Sequence, residues 1–364
     1  MRTKTIRKII RSFLVAANLL AALLLLASAY SDRIPPERML LFSYLGLLFP
    51  FICLLNSFFM AYWLFLRRWK YLLIGLTSLV LCWNPVRNYF PFHLSAPVPQ
   101  GEVIKVLTYN VMGFAYTDHT EKLPNKIIQY IADSGADIVC LQEFFAYRSN
   151  KRLTVDKINK ALAMYPYHSL IHLSNSDWGL AVYSKFPLTH SRRIDYASED
   201  NGSSIHQVAI NGKTLTLINN HLESFKLTSK DKVHYLDFIK GGGPETFGGL
   251  KSTIQQKLGP AFRIRAGQAR ALAAEIAQNK SDYLLVCGDF NDTPISYAHR
   301  KVQGDLLDAF AESGLGLGIT YHLNYFWFRI DNILYSPNME AFRCTVDHVR
   351  YSDHYPLWCY LKMN

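Results

Sequence analysis

Six short apolar runs in the last two thirds of this chain each deliver a polar, chemically competent residue at one end. Tyr283 to Cys287 is an apolar run bounded by Gly288, the signature of a buried strand. It stops in Asp289-Phe290-Asn291-Asp292. Asp289 and Asn291 are two residues apart, so on an extended backbone they leave the same face. A carboxylate and an amide side by side at a strand end can bind a hard cation, a water or a phosphate oxygen. Val103 to Tyr109 ends likewise in Asn110, and the strand-like Asp137 to Leu141 places Glu143 just past its end. Leu215 to Asn220 leads into His221 and Glu223, and Arg329-Ile330-Asp331 opens the run Ile330 to Tyr335. Tyr351-Ser352-Asp353-His354 adds an adjacent acid and imidazole, the composition of a metal-and-base site. Taken singly these have plainer readings: Asp289 as a turn cap, Glu143 as a solvated strand end, His221 as a structural histidine, Asp331 as a partner of Arg329. Independent turns do not supply six such residues in order.

The segments LTYNVMGF, DIVCLQE, GLAVYSKFPL, NNHLES, CGDFND, RIDNILYS and YSDHYPL follow in the order and spacing of the endonuclease/exonuclease/phosphatase superfamily, which the chain resembles from Val103 to Leu361. The resemblance implies a four-layer α/β sandwich, two packed and mostly antiparallel sheets flanked by helices. It also implies a divalent-metal-dependent hydrolase of phosphoric esters. On that reading Glu143 is the principal Mg²⁺ ligand, with Asn110 nearby and Asp353 completing the shell. Mg²⁺ suits hard oxygen donors, with Mn²⁺ as a substitute. Asp289 orients or deprotonates the attacking water, Asn291 holds a phosphate oxygen, and His354 contacts the scissile phosphate. Asp331 fixes the His354 tautomer, and His221 is a second phosphate-side imidazole. Some nucleases of the family carry an acid two residues after the Asn that matches Asn110. Met112 stands there, which argues against a second metal at that place. His221 is closer to the sphingomyelinase, deoxyribonuclease and 5-phosphatase branches than to the abasic-site branch.

The N-terminal third is different material. Its first 94 residues hold eleven Lys and Arg against Asp32 and Glu37, so +9 of the chain's +11 lies there and +2 in the remainder. The basic balance is membrane-topology charge and no argument for a nucleic-acid groove. Apolar stretches at about 10–30, 39–66 and 71–92 are expected to form three transmembrane helices. Alternatives are a signal peptide for the first and an interfacial hairpin for the third. Basic flanks at Arg2 to Arg11 and Arg67 to Lys70 put the N-terminus inside, so three crossings carry the following domain outside. The expected setting is the inner or plasma membrane of a bacterial-type cell. Residues 95–101, with two prolines, read as a linker to a catalytic domain at 102–364.

Within that domain, helices are predicted at Asn125 to Ser134, Lys157 to Met164 and Arg265 to Asn279, where Ala266, Ala269, Leu272, Ala273 and Ile276 share a face. An insertion at about 224–262 contains a helix start near Lys226 to Lys232, the aromatics Tyr235 and Phe238, glycines 241–243 and a helix-like run Leu250 to Leu258. It is either surface decoration or a lid or membrane-docking element. No cysteine pair has a disulfide-framework spacing. The expected activity is a phosphodiesterase acting on a lipid or membrane-associated phosphoester, the lipid headgroup favoured over nucleic acid. The alternatives are a metal-dependent nuclease and a non-catalytic phosphate-binding membrane protein. The oligomeric state is left open.

Overall fold

The computed structural model describes residues 2–364 apart from 95, 148–151, 174–176, 197, 199–200, 228–230, 232, 234–236, 238–239, 244–247, 250, 253 and 324–326. Of the 224–262 insertion's predicted features, Tyr235, Phe238 and most of Lys226 to Lys232 lie outside the described residues, whereas the run Leu250 to Leu258 is helical over Ile254–Leu258.

Alternation along the strands decides the layering. In β1 (Val103–Asn110), Ile104 and Val106 enter one apolar cluster while Leu107 and Tyr109 enter another. In β2 (Ile138–Phe145), Ile138 and Cys140 join the first cluster, Val139 and Leu141 the second. The first cluster is shared with Leu215 and Leu217 of β7 (Lys213–His221), Leu285 and Cys287 of β8 (Tyr283–Asp289) and Ile333 of β10 (Asp331–Tyr335). It is the seam between two sheets. The outer faces are closed by helices: Ile127, Ile128 and Ile131 of helix Lys126–Asp133 over the first sheet, Ala269 and Leu272 of helix Gly259–Ala277 over the second. Helix, sheet, sheet and helix make the four-layer sandwich.

The remaining strands are β3 (Tyr167–His172), β4 (Trp178–Ser184), β5 (Leu188–Arg193), β6 (Gly202–Ile210), β9 (Leu307–Asp308), β11 (Met339–Val346) and β12 (Leu357–Met363). One sheet runs β11-β12-β1-β2-β4-β3 and the other β5-β6-β7-β8-β10-β9. Each is antiparallel except for one central parallel pair, β1 with β2 and β7 with β8. The carboxyl ends of those four strands lie on one edge of the sandwich.

Helix boundaries shift from expectation where caps and proline decide them. Thr154 accepts from the Lys157 amide, so the predicted Lys157 to Met164 helix forms as Val155–Ala161. The predicted Arg265 start is earlier, at Gly259, because Pro260 sits in the first turn, where its missing N–H costs nothing.

The N-terminal region is a helical bundle. Lys4–Ala29 is long and apolar enough to cross a membrane, and Leu40–Leu47 with Phe49–Phe65 qualifies only as one span bent by 63°. The expected 71–92 span divides at Cys82 into Trp69–Leu81 and Trp83–Tyr89. Its 13-residue first piece rises about 20 Å, short of a hydrocarbon core of roughly 30 Å. Asn56 sits in the interior and donates to the Ala21 and Ile52 carbonyls, so no amide hydrogen faces the apolar surround unmatched at that contact. Outward residues are apolar and exposed, Phe13, Leu54, Phe58 and Phe65 among them. One end packs Leu14, Val15, Trp63 and Tyr71 together, so Lys4 to Arg11 and Arg67 to Lys70 share that end. The other end packs Leu25, Ala29, Phe49, Cys82 and Tyr89 with Ile295 of the sandwich.

Candidate active site

Strand register assembles the site. β7 and β8 pair His221 with Asp289, and antiparallel β10 pairs Asp331 with the same Asp289. Gly288 is required one residue earlier: its φ is +131°, and a Cβ there would lie 2.0 Å from the Asn220 carbonyl oxygen. From the facing sheet, Asn110 ends β1, and Glu143 occupies the register irregularity of β2 between Leu141 and Phe144. Glu143 has φ 51°, in the left-handed region, as does Asn291 at 50°. Two non-glycine residues held in that conformation, one from each sheet, mark a surround that constrains them.

The side chains converge across the seam. Asn110 Nδ2 donates to Glu143 Oε1 and to Asp289 Oδ2, both at 3.2 Å. His221 Nε2 lies 3.7 Å from each of those two carboxylates. His354 Nε2 lies 3.6 Å from Asp289 Oδ2, while its Nδ1 is 2.8 Å from Asp331 Oδ2. Asp289, Asp331 and His354 thus form a buried triad with ligating atoms within 4.8 Å of one another. Asp353 is half-buried beside it, within 3.2 Å of the Ser352 hydroxyl, which also donates to the Asn110 carbonyl. Asn291 donates its backbone N–H to Asp289 Oδ1 at 2.7 Å and its amide to the Leu222 carbonyl at 2.9 Å. All eight residues singled out in the sequence therefore meet in one place.

Electrostatics separate their characters. Burial pushes the Asp289 carboxyl up to about 6. Burial opposes charge on His354, yet Asp331 and Asp289 together hold it well above an ordinary imidazole. Burial keeps His221 below its usual value, and Asn201 Nδ2 lies 3.2 Å from its Nε2. Burial and then the charge of Asp353 push Glu143 up.

That last repulsion bears on a cation. Glu143 and Asp353 oppose each other electrostatically, with hard oxygens only, which is the arrangement a divalent ion relieves. These residues fit Mg²⁺ or Mn²⁺. Asn110 presents its amide nitrogen to the carboxylates and its oxygen to the Met112 amide at 3.2 Å, so it would ligate only after the amide turns over.

Several site residues carry no sequence signal. Asn219 donates to the Leu141 and Ala181 carbonyls at 3.0 Å and accepts from Gln142 at 2.7 Å, tying the sheets together behind the site. Arg265 and Gln268 lie on the buried face of helix Gly259–Ala277. Polar residues matched only by distant partners leave no periodicity to read.

The family model described as Endonuclease/Exonuclease/phosphatase family matches residues 107–354, and a model for a domain of unknown function matches residues 11–89. A Caenorhabditis elegans protein named "Putative neutral sphingomyelinase" is 32% identical over 91 residues, 25% of this chain and 20% of that protein. The match thus spans a fifth of that relative's length. Among solved structures, D. rerio TDP2 complexed with single strand DNA product superposes with TM-score 0.51 at 15% identity, covering 72% of this chain and 100% of that one. An endonuclease/exonuclease/phosphatase from Bacteroides vulgatus gives TM-score 0.50 at 17% identity over the same shares. At these identities the structural likeness concerns the fold.

Proposed function

The chain belongs to the endonuclease/exonuclease/phosphatase family of phosphoester hydrolases, and from that premise we propose that it is a membrane-anchored, Mg²⁺-dependent phosphodiesterase acting on lipid headgroups. One observation carries the choice of substrate: the catalytic edge of the sandwich rests on one end of the helical bundle. Ile295, six residues beyond Asp289, is buried in the bundle's apolar cluster. Arg329, two residues before Asp331, donates to the Asn88 carbonyl. Glu37 pairs with Arg270 at 2.7 Å and Asp32 with Arg300 at 3.3 Å. A bundle embedded in lipid would hold the site at headgroup level. The +2 charge of residues 95–364 gives no support to a phosphate-tracking nucleic-acid groove.

In this reading Glu143 and Asp353, with Asn110 turned, would hold Mg²⁺, which when bound would supply neutralisation of charge on the phosphoryl oxygens. Asp289, whose carboxyl burial raises to about 6, accepts a proton from the attacking water. His354 donates from Nε2 to a phosphoryl oxygen while Asp331 accepts from Nδ1 and fixes the ring. His221, its pKa lowered by burial, packs beside Asp289, and the second amide hydrogen of Asn291 would serve a phosphate oxygen. The bundle end with Lys4 to Arg11 and Arg67 to Lys70 lies opposite the sandwich, which supports a catalytic domain outside the cytoplasm.

The test is a panel with the purified full chain: bis-p-nitrophenyl phosphate, sphingomyelin, phosphoinositides, and single- and double-stranded DNA, each with Mg²⁺ and with chelator. Mg²⁺-dependent turnover highest on a lipid is expected. Preference for DNA would replace lipid with nucleic acid, and no turnover on any substrate would favour a phosphate-binding protein.

A further inference from the structure

We propose that Arg265 and Gln268 are positioning residues that hold the two active-site loops in register, a role that rests on the hydrolase reading above. The loops leave adjacent parallel strands: His221-Leu222-Glu223 after β7 and Asp289-Phe290-Asn291 after β8. Beyond the strand ends only single backbone bonds carry on the pairing, the Phe290 amide donating to the Ile330 carbonyl at 2.8 Å. They are first laced to each other. The Leu222 amide donates to the Asp289 carbonyl at 2.9 Å, and the Leu222 carbonyl accepts from the Asn291 side chain at 2.9 Å and from Asn201 at 3.1 Å.

The next pair of backbone groups is taken by the helix Gly259–Ala277. Arg265 Nη1 donates to the Glu223 carbonyl at 2.7 Å and to the Asn291 carbonyl at 2.5 Å. One guanidinium nitrogen thus bridges both loops, each bond falling two residues past a site residue, His221 on one side and Asp289 on the other. Gln268, one turn along the same face, accepts the Glu223 N–H at 2.8 Å. Glu223 is thereby held at both its backbone groups by one helix face. Both helix residues are buried, Arg265 completely and Gln268 to 2% exposure.

The guanidinium has no freedom to leave. Phe225 and Phe262 lie 4.5 and 5.2 Å from its central carbon, and its Nε is 3.1 Å from Asp292 Oδ2. Neither Arg265 nor Gln268 touches the reacting atoms. Their effect is transmitted through the loops, where a misplacement of about 1 Å can cost on the order of a hundredfold in rate. Lysine cannot replace Arg265 here, because an ammonium on a flexible stem does not offer the planar fork that packs against both rings while bonding two carbonyls.

The experiment compares Arg265→Lys and Gln268→Leu with Leu272→Ala in the full-length protein. Leu272 lies on the same helix and is fully buried in the apolar cluster that also takes in Leu222 and Phe290, but its side chain offers neither loop a hydrogen bond. Two readouts are taken: kcat and KM on bis-p-nitrophenyl phosphate, and amide exchange of the peptides 222–226 and 289–293. Arg265→Lys is expected to lower kcat at least thirtyfold with KM within threefold, and to speed exchange in both peptides. Gln268→Leu should lower kcat about tenfold and speed exchange in 222–226 alone. Leu272→Ala should lower the thermal midpoint as much or more, yet leave both peptides and kcat near wild type. If all three variants lose kcat in proportion to their loss of midpoint, or exchange in the loops is unchanged, the positioning role is wrong. Because exchange does not depend on turnover, an inactive wild type would overturn the hydrolase reading and still leave this one decided.

Discussion

His354 and Asp331 are joined by a 2.8 Å contact between Nδ1 and Oδ2 that fixes which imidazole nitrogen faces Asp289. Both groups are buried, so the contact is little screened by water. Asp331→Asn keeps the shape but presents a hydrogen-bond donor on one side of the amide, favouring the wrong tautomer. Turnover should fall roughly 10²- to 10⁴-fold with KM little changed. A pure KM effect would recast His354 and Asp331 as binding residues.

Glu143→Gln should nearly abolish Mg²⁺-dependent turnover. The variant keeps the side-chain volume and removes a carboxylate that Asp353 opposes, so the thermal midpoint of the metal-free protein should stay level or rise. Loss of the cation contribution should cost several kcal/mol of barrier, each ~1.4 kcal/mol being tenfold in rate. More than about a tenth of wild-type activity in saturating Mg²⁺ would remove Glu143 from the metal site.

Stability should weaken in mild acid through His206, which lies in β6 away from the catalytic edge. It is fully buried between the Ser191 hydroxyl at 2.8 Å and the Ser204 hydroxyl at 2.9 Å, and burial holds its pKa down to about 4. Below pH 6.5 the unfolded chain takes up a proton that the folded one refuses. The His206 contribution is therefore lost as pH falls from about 6.5 to about 4 and levels off below, by at most about 3 kcal/mol. In His206→Gln the thermal midpoint should fall less steeply over that window than in the wild type. Equal slopes would assign the acid sensitivity elsewhere.

A reporter that fluoresces only in the cytoplasm, fused after Asn364, should stay dark, and one that works only outside should report. The basic bundle end lies opposite the sandwich, and the broken segment Trp69–Leu81 and Trp83–Tyr89 would make the third crossing. A bright cytoplasmic fusion would show that this segment returns without crossing, and would move the substrate to the inner leaflet.

The strands were legible because each is an apolar run with a reactive group at its end; the layers and the grouping of the eight converging residues followed from the family resemblance that those strand ends carry. What could not be read depends on partners far along the chain. Arg265 and Gln268 interrupt an otherwise apolar helix face, and without the loops they hold they read as exceptions to it. Gln142 and Asn219 lie within apolar runs and become intelligible only as each other's partners across the seam. The φ of 51° at Glu143 has no local marker, since glutamate does not announce a left-handed turn. The division of the third apolar segment at Cys82 into two helices could not be read either, because a run of apolar residues does not show where a helix stops and restarts.

Ile295 has a consequence for how such chains diverge. A residue that belongs by sequence to the catalytic loop, yet is buried among Leu25, Phe49, Cys82 and Tyr89, makes the two parts of the protein share one inheritance. Exchanging the bundle for an unrelated anchor would leave that loop resting on a foreign surface. Recombination between relatives should therefore preserve residues 11–89 together with the loop at 290–296, and chimaeras joined at 95–101 should need compensating changes at Ile295 before they work.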